Sequence, residues 1–202
     1  MTKFLLKSDI QEITDRLATL AHKFSGKTIL LTGGRGFLGR YFTEVFIHLN
    51  ETVLEKPAKL VILDNLITAG KEGVTVPDFD NVTFIEHNVV EPFEWDKPLD
   101  YVIHAAGIAS PYYYRAYPLE ALDVAISGTR HMLNLANDHG AHFTFFSSSE
   151  IYGDPDIKHV PMAESYRGNV SCQGPRACYD ESKRVGETLC YIYHSYQGTK
   201  TN

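Results

Sequence analysis

The chain has 202 residues, 44% of them apolar and 22% charged, enough for one globular domain with a full core, which argues against a disordered chain. A formal net charge of -6 without a long basic run argues against nucleic acid as a partner. No apolar run approaches the roughly 20 residues that span a bilayer, so no membrane partner is expected. Cys172, Cys178 and Cys190 form neither a C-x-x-C pair nor an even-numbered disulfide framework, and the predicted location is a reducing cytoplasm.

Apolar residues at Ile10, Ile13, Leu17 and Leu20, with Ser8 and Gln11 spaced as a capping box, predict an amphipathic helix over Ser8–Lys23. Residues 1–25 therefore read as a helical extension, followed by the main domain at 26–202. That domain opens with a short β-prone run, Thr28–Thr32, which passes at once into glycines and then a helix from about Phe37 to Leu49. Asn50–Lys59 reads as an insertion. Apolar strands follow at Leu60–Leu63, Val82–Ile85, Tyr101–His104 and His142–Phe146. Helices are predicted at about Leu119–Asp138 and Tyr179–Tyr196, and Gly153–Pro175 is the loop-rich segment. Continuous apolar strands alternating with helices imply an α/β fold, a doubly wound parallel sheet with helices on both faces.

Gly33, Gly36 and Gly39 stand at G-x-x-G-x-x-G spacing between a predicted strand and a predicted helix whose first residues are Phe37 and Leu38. A dinucleotide pyrophosphate needs such a bare turn, with the free N–H groups of a helix N-terminus facing it. The second strand ends in Asp64-Asn65. A carboxylate there accepts ribose hydroxyls and repels a 2′-phosphate, which favours NAD over NADP. Gly33 and Asp64 lie 31 residues apart (64 − 33), against about 20 for the usual motif.

Tyr179 and Lys183 have the Y-x-x-x-K spacing that puts an ammonium beside a phenol on one helix face, favouring the phenolate as a proton acceptor. Tyr196 and Lys200 repeat the spacing, but Gly198 between them marks a helix end. Ser147-Ser148-Ser149-Glu150 places hydroxyls after the fifth strand. His139 and His142 straddle Gly140 with no third ligand nearby, and no metal is expected.

With these pieces in order, Lys27–Asn202 resembles the extended short-chain dehydrogenase/reductase family of nucleotide-sugar enzymes, which has a Rossmann-type fold. Within it, Gly174-Pro-Arg-Ala-Cys-Tyr-Asp-Glu-Ser-Lys-Arg184, Asn88-Val-Val-Glu-Pro92 and Ser149-Glu-Ile-Tyr-Gly-Asp-Pro155 are most similar to the UDP-glucuronate decarboxylases, which make UDP-xylose. The resemblance implies Tyr179 as base on the sugar C4 hydroxyl, Lys183 on the nicotinamide ribose, Ser148 on the same hydroxyl and Glu150 near the ring. It implies Ala105, Ala106 and Gly107 beneath the cofactor, Tyr114 against the substrate, and Val89 and Asn88 at the adenine. Asn88 stands where the family usually has Asp. The acid that dehydratases carry before this Glu is Ser149 here, which disfavours dehydration. Oxidation at C4 would instead turn a uronate into a β-keto acid that loses carbon dioxide. The expected partners are a UDP-sugar and a second copy of the chain, the family commonly dimerising through the 119–138 and 179–196 helices. A UDP-sugar 4-epimerase and a catalytically silent NAD-binding module are the alternatives. Family members continue into a C-terminal substrate domain, most of which is expected to be lacking here, with the sixth strand due just as the sequence ends.

Overall fold

A computed structural model describes residues 5–70 and 79–202; the first four residues of the expected extension lie outside them. Helix α1 spans Lys7–Leu17 and tightens into a 3-10 turn over Ala18–Phe24. The capping box does not form. The helix starts at Lys7, so Ser8 lies inside the first turn, where its hydroxyl donates to Asp9 at 3.3 Å. Ile10 and Thr14 are buried and Leu17 packs on the core, while Ile13 and Leu20 are exposed. The change of pitch after Leu17 carries Leu20 off the apolar stripe.

Strands β1 (Thr28–Thr32), β2 (Lys59–Asp64), β3 (Val82–Glu86), β4 (Tyr101–His104), β5 (His142–Phe145) and β6 (Lys200–Thr201) form one sheet in the order β3-β2-β1-β4-β5-β6. Every pairing is parallel. Alternate residues face opposite layers. Ile29, Leu31, Leu60 and Ile62 meet Val45, Phe46 and Leu49 of helix α2 (Phe37–Thr52), with Ile10 and Ala21 outside them. On the other face Leu30, Val61, Val102 and Phe143 meet Met132, Leu133 and Ala136. This two-sided burial is why the strands read as continuous apolar runs.

The presumed insertion is an extension of α2 to Thr52 and a clamped turn. The Asn50 amide donates to the Ala58 carbonyl at 2.9 Å and accepts the Ala58 N–H at 2.8 Å. After β4 come α3 (Pro111–Ala116) and α4 (Pro118–Asp123), then a π turn over Val124–Gly128 that leads into α5 (Thr129–His139). The single helix expected over Leu119–Asp138 therefore has a widened turn at its centre. Met132, Leu133 and Leu135 are core residues.

Helix α6 covers Ala177–Gln197 and stops at Gly198, φ +75°. Lys200 lies in β6, off the helical face of Tyr196, and the sixth strand has already begun within the chain. No helix among the described residues is long and apolar enough to cross a membrane.

Candidate active site

The C-terminal ends of β1, β2 and β4 open onto a groove. At its floor the Gly33 N–H donates to the Leu63 carbonyl at 2.8 Å, and Gly33 turns with φ +70°. A Cβ there would stand 2.8 Å from the Ala105 carbonyl and from the Ala106 nitrogen, so two backbones meet with no room for a side chain. Gly36 caps α2 and spends its N–H on the Gly33 carbonyl at 3.1 Å. The next N–H groups, of Phe37 and Leu38, have no partner within the helix. Both side chains point outward, 70% and 50% exposed. Gly39 seats α2 on this loop, since a side chain there would collide with Gly33 and Gly34.

Asp64 ends β2. One oxygen accepts the Arg35 N–H and the other the Leu66 N–H, both at 2.8 Å, which fixes the carboxylate at the groove edge with a further lone pair on each oxygen. Asn65 and Asn88 brace their own loops, accepting from Ile67 at 3.1 Å and from Val90 at 3.3 Å. The groove gathers Gly33, Gly36, Asp64, Asn65, Asn88 and Val89 opposite Ala105, Ala106 and Gly107. This geometry fits a dinucleotide: a bare turn and helix N-terminus for the diphosphate, and a fixed carboxylate for a ribose.

Beneath the floor runs a buried hydrogen-bond chain that sequence reasoning did not find. The Ala106 N–H donates to Thr32 Oγ1 at 3.0 Å, Thr32 Oγ1 lies 2.8 Å from His104 Nδ1, and His104 Nε2 lies 3.1 Å from Thr129 Oγ1. With the Thr129 hydroxyl donating to the Val124 carbonyl at 3.4 Å, every partner is satisfied if His104 carries its proton on Nε2. Burial, helped by the charge of Lys183, pushes the His104 pKa down to about 3.

At the other end α6 brings up Tyr179 and Lys183. Lys183 Nζ donates to the Phe146 carbonyl at 2.6 Å and lies 5.8 Å from the Tyr179 ring centroid. It stands 3.4 Å from where a Gly107 Cβ would be, so the ammonium reaches the groove floor. Burial lowers its pKa from 10.5 to about 8. The Tyr179 ring stacks on Tyr114, centroids 5.4 Å apart and planes 12° from parallel, and Tyr114 is only 2% exposed. The Ser182 hydroxyl donates to the Tyr179 carbonyl at 2.6 Å.

Ser148 caps the 3-10 turn Ser149–Tyr152, accepting the Glu150 N–H at 3.3 Å. Among the described residues no hydrogen bond joins Ser148 to Tyr179. The loop is instead tied to α6 by the Ser147 hydroxyl on Glu187 at 2.5 Å, Arg184 on the Ile151 carbonyl at 2.9 Å, and an ion pair between Arg176 and Glu150. Arg176 also lies 3.6 Å from Asp180, which is 8% exposed. Burial raises the Asp180 pKa from its ordinary value. Arg176 and Asp180 were missed, although both sit inside the motif around Tyr179; spacing alone does not reveal that they meet Glu150 in space. His139 and His142 serve structure, one within 3.0 Å of the Trp95 carbonyl and the other stacked on Tyr101.

A parallel sheet in this strand order, a glycine-floored groove and a Tyr/Lys pair beside Ala106 and Gly107 of its floor define a dinucleotide-dependent enzyme fold. The profile of the NAD dependent epimerase/dehydratase family matches residues 29–201, and the chain belongs to that family. It is 39% identical over 175 residues to UDP-glucuronic acid decarboxylase 1 of Xenopus tropicalis, covering 86% of this chain and 39% of that protein. It is 40% identical over 177 residues to UDP-glucuronic acid decarboxylase 2 of Arabidopsis thaliana, covering 87% and 37%. Among solved structures, UDP-N-acetylglucosamine 4-epimerase of Methanobrevibacter ruminantium, in complex with UDP-N-acetylmuramic acid, superimposes with a TM-score of 0.66 at 26% identity, covering 87% of this chain and 53% of that one. The chain thus spans well under half the length of these two curated relatives.

Proposed function

We propose that this chain carries the NAD-binding and proton-transfer part of a nucleotide-sugar enzyme that oxidises sugar C4 transiently, and that its reaction is decarboxylation of UDP-glucuronate to UDP-xylose. The observation that carries this reading is the Tyr179–Lys183 pair packed beside Ala106 and Gly107 of the groove floor, in a chain about 39% identical to named decarboxylases. Bound NAD supplies the oxidant for C4 and, once carbon dioxide has left, the reductant that restores it. Gly33, Gly36 and the Phe37 and Leu38 amides hold the diphosphate, and Asp64 takes the adenosine ribose. Tyr179 removes the C4 hydroxyl proton, with Ser148 as its partner on that hydroxyl. Lys183 holds the second ribose and keeps positive charge beside the phenol. Glu150 works near the ring, and Ser149 in front of it offers no acid strong enough to expel a hydroxyl.

Tyr191 and Tyr196, 64% and 77% exposed on α6, support pairing with a second copy. Three free cysteines are consistent with a cytoplasmic setting.

The test is to incubate the protein with NAD and UDP-glucuronate and follow carbon dioxide and UDP-pentose. Their appearance supports decarboxylation. Interconversion of UDP-hexoses instead would replace it with epimerisation, and tight NAD binding without chemistry would leave a silent binding module.

A further inference from the structure

Arg176 belongs to the motif around Tyr179, yet neither proton transfer nor NAD binding uses it. Its carbonyl accepts the N–H groups of Tyr179 at 2.9 Å and Asp180 at 3.1 Å, so its position is locked to the turn that carries the catalytic phenol. Its guanidinium pairs with Glu150 and lies 3.6 Å from Asp180. The side chain is still 47% exposed, on the wall of a depression it shares with Glu150, Asp154 and Asp180. Lys183 is buried and already committed to the Phe146 carbonyl. Three carboxylates, Glu150, Asp154 and Asp180, and one cation, Arg176, therefore line that depression, with Arg176 three residues ahead of Tyr179 in the chain. An anionic sugar meets net repulsion there unless the guanidinium turns to it.

We infer that Arg176 is the specificity residue for an acidic sugar: its guanidinium exchanges the Glu150 carboxylate for the carboxylate of the substrate, and in doing so releases Glu150 beside the sugar ring. The inference deepens the nucleotide-sugar reading above and rests on it. A planar guanidinium suits this exchange because it takes a carboxylate through two parallel N–H bonds, which an ammonium cannot do. Such a contact is kept equally in the bound substrate and in the transition state for C4 oxidation, so it acts on binding rather than on the rate of that step.

The experiment measures equilibrium binding of UDP-glucuronate and of UDP-glucose to the NAD-loaded protein. UDP-glucose has the same nucleotide and ring but no carboxylate. The unaltered chain should prefer the uronate. Arg176→Gln should weaken uronate binding by about 10- to 100-fold, leave UDP-glucose binding nearly unchanged and so reverse the preference. Arg176→Lys, which keeps a charge beside Asp180, should fall between the two. Glu150→Gln removes the competing carboxylate and should raise the preference for the uronate over UDP-glucose several-fold, a result that a merely structural Arg176 does not produce. Retained NAD binding and cooperative unfolding identify a folded variant. Equal or absent affinity for the two sugars in the unaltered chain overturns the inference, as does an Arg176→Gln protein that keeps the preference. Uronate selectivity without carbon dioxide release would leave the inference standing and remove the decarboxylase reading. Carbon dioxide release with selectivity unmoved by Arg176→Gln would do the reverse.

Discussion

At the β1–β3 end the groove is made of backbone, and at the β4–β6 end it is made of side chains. Gly33, Gly36 and Gly39 contribute room and N–H groups, and the Asp64 carboxylate there is held rigid by the amides of Arg35 and Leu66. Around Tyr179, by contrast, Lys183, Arg176, Glu150, Asp180 and Tyr114 form one coupled set of partly buried charges and rings. A diphosphate needs an electropositive bend whatever the reaction, whereas proton transfer needs a titrating group whose neighbours are chosen for it. The first half should respond to changes in shape, the second to changes in charge.

The largest effect is expected where the halves meet. His104 is neutral in the folded protein because its pKa lies near 3 rather than 6.5. Its folded pKa is depressed, so the unfolded chain takes up the proton first, and stability present above pH 6.5 is lost as the pH falls toward 3. The loss reaches about 5 kcal/mol over that window. His104→Gln, which can accept from Thr32 and donate to Thr129, should unfold with much less acid sensitivity. Urea midpoints at pH 7 and at pH 4 measure it; parallel behaviour of the two proteins would mean that the imidazole is not held neutral.

Tyr179→Phe comes next and separates the halves most cleanly. Turnover in the proposed reaction should fall by about 1,000-fold or more, roughly 4 kcal/mol of barrier, if the phenol acts as the proposed proton acceptor. NAD affinity, set at the backbone end, should change by no more than about twofold. Loss of NAD binding in a folded variant would show that the division between the two ends is false.

The backbone half was the more legible in the sequence, because spacing is one-dimensional: three glycines, a strand before them and an acid after the next strand could be read along the chain. Five of the six strands and the long helices were found in the same way, their apolar runs dictated by a sheet covered on both sides; the sixth, Lys200–Thr201, has no apolar run to betray it. The remainder depended on pairs far apart in sequence. Nothing local says that Asn50 clamps Ala58, that Thr32 and Thr129 hold His104 between them, or that Arg176 bridges Glu150 and Asp180. The π turn at Val124–Gly128 was equally hidden, since its residues fit an ordinary helix and only the packing of Gly128 against Val89 accompanies the wider turn.

The smallest effects test the claim that the cofactor end works by shape. Gly33 and Gly140 share nearly the same left-handed backbone, φ +70° and +63°. They differ in what surrounds them. A Cβ at Gly33 would meet backbone at 2.8 Å, while at Gly140, which ends α5, nothing lies within 4 Å. Gly33→Ala should therefore cost about 3 kcal/mol, the left-handed penalty plus displacement of the Ala105–Ala106 turn, and should abolish NAD binding. Gly140→Ala should cost only about 1 kcal/mol, with NAD affinity unchanged. The difference between the two variants in denaturant unfolding isolates the close approach from the backbone angle. If they are equally destabilised and both still bind NAD, the Gly33 turn has room to spare, and the groove floor is held by something other than contact between its two backbones.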